Sequence, residues 1–217
     1  MTDLSLSSSQ LSGVLIAVFQ IVILIFSVIA HEVAHGAIAE RLGDPTARRA
    51  GRITLNPIRH IDPFGSIILP LLLYLTTSGA FMFGWARPVP YNPANLRDPK
   101  LGSGIIAAAG PLTNITVAIV FGILLRILEI FGFPAPLMLS VFLNMIILIN
   151  VVLAVFNLIP IPPLDGSGVL FSLLPPQYRG VQEFLIRYQL FLFLIFIFFG
   201  FGLIRPVIEL IFSWLAY

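Results

Sequence analysis

Four stretches of this chain are apolar for about 20 residues or more: roughly 11–42, 102–130, 137–158 and 184–217. Runs of that length match the hydrocarbon thickness of a bilayer when coiled as α-helices. Composition agrees, with 58% of the 217 residues hydrophobic and only 10% charged. The fold class expected is an all-α polytopic membrane protein. A net charge of +2 and the lack of a basic stripe with interleaved aromatics argue against a nucleic-acid partner. Cysteine is absent, which excludes disulfides, thiol catalysis and thiolate metal ligands. The N-terminus lacks the basic region of a signal peptide, so the first run is expected to be a retained span.

The first span ends in IAHEVAHGAIAE, residues 29–40. Ionisable side chains at a membrane helix centre cost roughly 2.5–3.5 kcal/mol each on insertion scales, and here three fall within five positions. His31 and His35 are four apart and share a helix face. Two imidazoles so placed can hold one metal ion, and Glu32 lies to the side, where it can take a proton from water. H-E-x-x-H on a helix is the arrangement zinc metalloproteases use, with two ligands and a general base.

Zinc held by two histidines needs a third protein ligand and an open position. His60 is the remaining histidine. Most carboxylates, Asp44 and Asp62 among them, lie in loops or beside basic residues and read as solvated charges. Asp165 stands apart, within NLIPIPPLDG at the end of the 137–158 span. Broken backbone at membrane depth is tolerated where it packs in protein or lines a cavity. For Asp165 to reach the histidines, an even number of crossings must separate the two ends. The 102–130 and 137–158 spans supply two, so residues 64–84, with Pro70 and a Thr-Thr-Ser-Gly run, must not cross and should form a re-entrant or interfacial hairpin. A full crossing would instead favour His60. The hairpin version puts Arg41, Arg48, Arg49, Arg52, Arg59, Arg87, Arg97, Lys100, Arg179 and Arg187 on the side of the metal ligands. By the positive-inside rule that side is the cytoplasm.

HEVAH (31–35), AGPLTN (109–114) and NLIPIPPLDG (157–166) occur in an order that resembles the site-2 protease family of intramembrane zinc metalloproteases. GRITLNPIRHIDPFG and GWARPVPYNP are similar to its compact prokaryotic branch, without PDZ or CBS domains. The resemblance covers about residues 11–170 and implies one Zn²⁺ per chain on His31, His35 and Asp165, with Glu32 as catalytic base. It implies that Asn157 aids the substrate or the oxyanion, and that RRAGRITLNP is a β-like element pairing with an unwound substrate. The implied architecture is a single domain over 1–217. It comprises a three-helix catalytic core, re-entrant or β-like elements between the first two spans, and one or more C-terminal membrane helices at about 184–217. The implied partners are a transmembrane protein substrate and the lipid bilayer of a prokaryotic cytoplasmic membrane, with the site opening toward the cytoplasm.

Two other functions fit the same residues: a catalytically silent helix-binding chaperone, and a metal-ion transporter. Gly110, Pro111 and Asn114 are expected to serve close helix packing. His60 is expected to be a loop or gating residue, and Arg126 with Glu129 a local surface pair. The phenylalanine-rich tail is expected to face lipid. The substrate and the oligomeric state are not legible in the sequence.

Overall fold

The computed structural model describes residues 8–76, 86–131 and 137–217. The first span is α1 (Ser8–Arg41), a 34-residue helix. At 1.5 Å per residue it is about 50 Å long, more than the roughly 30 Å of a hydrocarbon core. Its N-terminal half exposes Val14, Leu15, Val18, Ile21 and Val22, as lipid-facing positions should. Gly43, at φ +109°, ends it in a conformation that favours glycine. The short helix α2 (Thr46–Arg49) follows.

The Arg52–Leu55 stretch forms bends rather than a strand, and no strand occurs among the described residues. The expected β-like element is therefore not paired among the described residues; a strand exists only through a ladder partner, and no described segment supplies one. After it, a π-wound turn (Pro63–Ile68) leads into α3 (Leu69–Thr76), only 8 residues long. Pro70 has no amide to donate back into that turn. The expected Thr-Thr-Ser-Gly break at residues 76–79 lies mostly outside the described residues.

Both ends of this excursion are nevertheless fixed at one point. The Arg87 amide donates to the His60 carbonyl at 2.9 Å. The Arg52 guanidinium donates to the carbonyls of Arg59 and Arg87, and to that of Pro88 at 3.2 Å. Residues 60 and 87 therefore meet at the same end of α1, as the flanks of a re-entrant or interfacial hairpin should. Arg52 and His60 are buried at its mouth.

The second long helix is α4 (Pro99–Ile130), capped by the Asp98 carboxylate on the amides of Lys100 and Leu101. It runs back from the ligand-bearing end of α1 and forms the mast of the molecule. Helices in lipid gain little from apolar contact alone and associate where small residues let backbones approach. A Cβ on Gly110 would lie 2.5 Å from the His31 and His35 rings. One on Gly104 would lie 2.0 Å from Ser172 Oγ, and one on Gly122 2.8 Å from the Leu215 carbonyl. Three glycines thus mark three crossings along one helix.

Next comes α5 (Leu137–Asn157), which returns to the ligand end. The proline-rich turn after it contains a cis Pro162–Pro163 bond and opens into α6 (Asp165–Leu173). The amphipathic α7 (Arg179–Arg187) precedes α8 (Gln189–Ile195), a π-wound turn (Phe196–Gly200) and α9 (Phe201–Ala216). Gln189 to Ala216 form one apolar span of 28 residues, so among the described residues four helices are long and apolar enough to cross a membrane. The tail is thus one span with an internal π turn. Ala118 and Leu125 of α4, Leu143, Ile147 and Val151 of α5, and Ile208 and Leu215 of α9 form the buried core away from the ligands. Arg126 does not pair with Glu129; it donates to the Trp214 carbonyl and lies 5.9 Å from the centre of that indole ring. Carbonyls at the end of α9 lack intrahelical donors, so that oxygen is the available acceptor.

Candidate metal centre

The four-residue spacing on α1 puts the His31 and His35 rings side by side, centroids 4.7 Å apart. Asp165, the first residue of α6, meets them. Its Oδ2 lies 2.9 Å from His31 Nε2 and 3.4 Å from His35 Nε2. Ligand atoms of all three residues fall within 4.8 Å of one another. No other group of three or more His, Asp or Glu side chains so disposed occurs among the described residues. The turn before Asp165 is fixed by backbone bonds from Leu164 to Ile161 and from Ser167 to Leu164. Gly166 lets α6 abut α5, since a Cβ there would meet the Leu158 carbonyl at 2.2 Å.

The donors fit a zinc ion. Two imidazole nitrogens and a carboxylate oxygen are a borderline set suited to it. Asp165 Oδ2 is buried without a hydrogen-bond partner, which is costly for a carboxylate unless a cation completes it. Both ring orientations are set from α4. His35 Nδ1 bonds the Ile106 carbonyl at 2.7 Å, so that nitrogen carries the proton and Nε2 keeps its lone pair. His31 Nδ1 bonds Asn114 Oδ1 at 2.7 Å. Partners of this kind orient metal-ligating histidines and raise their basicity.

Glu32 lies to one side of the three ligands, as its position one residue after His31 requires. Its Oε2 accepts the Val89 amide at 2.8 Å. Val89 belongs to the proline-flanked segment that follows the hairpin, and it packs over Gly36, where a Cβ would approach it to 2.9 Å. That segment is anchored by Asp44, which is fully buried rather than solvated as expected. Its carboxylate accepts the Asn92 amide at 2.6 Å, the Asn95 side chain at 2.7 Å, and the Thr46 amide and hydroxyl. Burial works to raise the Asp44 pKa, but these hydrogen bonds outweigh it and hold the carboxyl below its ordinary value.

Asn157 is not joined to the ligands by a hydrogen bond; its amide donates to the Leu153 carbonyl one turn back at 2.9 Å. His60 is spent at the hairpin mouth, with Nε2 on the Thr54 carbonyl at 2.8 Å. Gly110 and Asn114 do more than pack helices, because both touch the ligands. Their spacing was the available signal: they are four apart and share a face of α4, and an asparagine in an apolar helix needs a partner. The Val89 amide carried no signal, because any residue but proline supplies one.

Comparison with known proteins agrees with this geometry. Residues 126–196 match the family model described as peptidase family M50. YwhC of Bacillus subtilis (strain 168), provisionally named a zinc metalloprotease, is 36% identical over 181 residues, covering 82% of this chain and 78% of its own. MJ0611 of Methanocaldococcus jannaschii, provisionally named likewise, is 33% identical, covering 70% of this chain and 72% of its own. Rip2 of Mycolicibacterium smegmatis, again provisionally a zinc metalloprotease, is 31% identical over 70% of this chain and 56% of its own. No solved structure matches the chain. With a histidine pair and an aspartate brought together inside a bundle of apolar helices, and a relative matched along most of both chains, this chain belongs to peptidase family M50, the site-2 proteases.

Proposed function

We propose that the protein is an intramembrane zinc endopeptidase that cleaves transmembrane segments of other membrane proteins. The observation that carries this reading is the convergence of His31, His35 and Asp165 from two distant helices, with Glu32 beside them. Bound there, zinc supplies Lewis acidity, lowering the pKa of water to about 7 and polarising a carbonyl.

The chain's own groups do the rest. His31, His35 and Asp165 hold the ion. Glu32 accepts the proton of the attacking water and returns it to the leaving amine. The Val89 amide holds Oε2, so Oε1 would be the oxygen to take the proton. Asn157 retains one amide hydrogen beyond its bond to Leu153, enough to donate to a developing oxyanion once substrate is seated. A substrate helix must unwind first, since a hydrogen-bonded helix shields its carbonyls. Helix-breaking residues near the scissile bond should therefore speed cleavage. The arginine distribution supports a site opening toward the cytoplasm of a prokaryotic cell membrane.

The test is Glu32→Gln in proteoliposomes with a transmembrane reporter. Zinc should remain at about one per chain while cleavage is lost. Cleavage at the unaltered rate would refute the role of Glu32. Zinc flux across the liposome would favour a transporter instead. Reporter binding without cleavage by the unaltered protein would favour a chaperone.

A further inference from the structure

Asn150 belongs to none of the motifs above, yet it is fully buried in the middle of an apolar helix, as is Asn114 on α4. Ser27, one turn before His31 on α1, is buried with them. Three polar side chains at a crossing of three membrane helices are costly unless every group is paired. Here they are, and the pairing has a direction.

Asn150 donates from Nδ2 to the Ile146 carbonyl at 2.9 Å and to Ser27 Oγ at 3.0 Å. A backbone carbonyl only accepts, so this amide cannot turn round. Asn150 Oδ1 therefore faces Asn114 and accepts its Nδ2 at 2.9 Å. The other Asn114 hydrogen goes to the Ser27 carbonyl at 3.3 Å. Both Asn114 hydrogens are then committed, and its Oδ1 is left toward His31 Nδ1 at 2.7 Å. An amide oxygen cannot donate. His31 must carry its proton on Nδ1, which leaves Nε2 bare on the side of His35 and Asp165.

We infer that Asn150, with Ser27, is a positioning residue that fixes the His31 tautomer for metal binding, acting through Asn114 across α5, α4 and α1. The inference rests on the reading of His31 as a metal ligand. Without Asn150, a single 3.3 Å bond to the Ser27 carbonyl is all that opposes turning the Asn114 amide over, in place of two opposing bonds. Nδ2 would then face His31 Nδ1, the imidazole proton would move to Nε2, and the lone pair would point away from the metal.

The test compares zinc affinities by chelator competition in detergent. Asn150→Leu should weaken zinc binding about 10- to 100-fold, the range for losing a partner of a ligating histidine. Asn144→Leu, which removes only a bond to Ser140 on the same helix, should leave it unchanged. The same Asn150→Leu change is then made in an Asn114→Asp background. A carboxylate accepts whichever way it faces, so there Asn150 should be dispensable, with affinity changing less than about threefold. If Asn150→Leu does not fold, Asn150→Ala, which removes the same acceptor for Asn114, should show the same split between backgrounds. Equal loss in both backgrounds would reduce Asn150 to packing, and no loss in either would remove its role. Failure of the unaltered protein to bind zinc would instead overturn the ligand reading, and this inference with it.

Discussion

Gly110→Ala sets two expectations against each other. In a helix interior, alanine is favoured over glycine by about 1 kcal/mol, so propensity alone predicts a more stable protein. The structure predicts a damaged metal site. The added Cβ would lie 2.5 Å from His31 Cε1, His31 Nε2 and His35 Nε2. Ordinary van der Waals contact begins near 3.4 Å, so the rings or α4 must retreat by about 0.9 Å, against the roughly 0.2 Å that ligand distances tolerate. Neither ring can move alone, because His31 is tied to Asn114 and His35 to the Ile106 carbonyl. Overpacking of this kind costs about 1–3 kcal/mol, equivalent to a loss of about 5- to 150-fold in zinc affinity. The assay is chelator competition on detergent-purified protein, with thermal unfolding measured in parallel. Gly202→Ala, where a Cβ meets nothing within 4 Å, is the control and should leave zinc affinity unchanged. Wild-type zinc affinity in Gly110→Ala would refute the claim that α4 packs against the ligands.

Other outcomes follow from the loops that close the site. Arg52→Lys replaces donors on two separate guanidinium nitrogens by one compact ammonium that cannot span the carbonyls of Arg59 and of Arg87 and Pro88, and should destabilise the hairpin mouth by about 1–3 kcal/mol; unchanged limited proteolysis between residues 61 and 86 would contradict this. Val89→Pro removes the amide that holds Glu32. It should lower kcat about tenfold or more with zinc affinity intact, and a parallel fall in zinc affinity would show general damage instead. Asp44 has a folded-state pKa below its unfolded value of 3.8. Its stabilisation is therefore complete above about pH 4 and lost as pH falls through the folded value. Asp44→Asn should flatten the acid limb of the unfolding curve, and an unchanged limb would sink that assignment.

The spans and the histidine pair were legible because each rests on a local pattern: hydropathy over about 20 residues or a four-residue helical spacing. Asp165 was reachable because topology confines it to one end of the bundle. What escaped notice is contact between helices. Nothing local marks Gly110 as facing two histidines rather than another helix, or Asn150 as linked to His31 through Asn114. Asp44 looked like a solvated loop charge because its partners, Asn92 and Asn95, lie some fifty residues on, past the hairpin. The stretch around Arg52–Leu55 has strand-forming residues but no partner strand among the described residues, and sheet pairing is not decided by one segment's composition.

The central claim is that α1 and α6 together hold one metal ion. Zinc content of the purified unaltered protein and of its Asp165→Ala and His60→Ala variants tests it most directly. The account predicts about one zinc per chain for the unaltered protein and for His60→Ala, and near none for Asp165→Ala. Zinc retained by Asp165→Ala but lost from His60→Ala would contradict it.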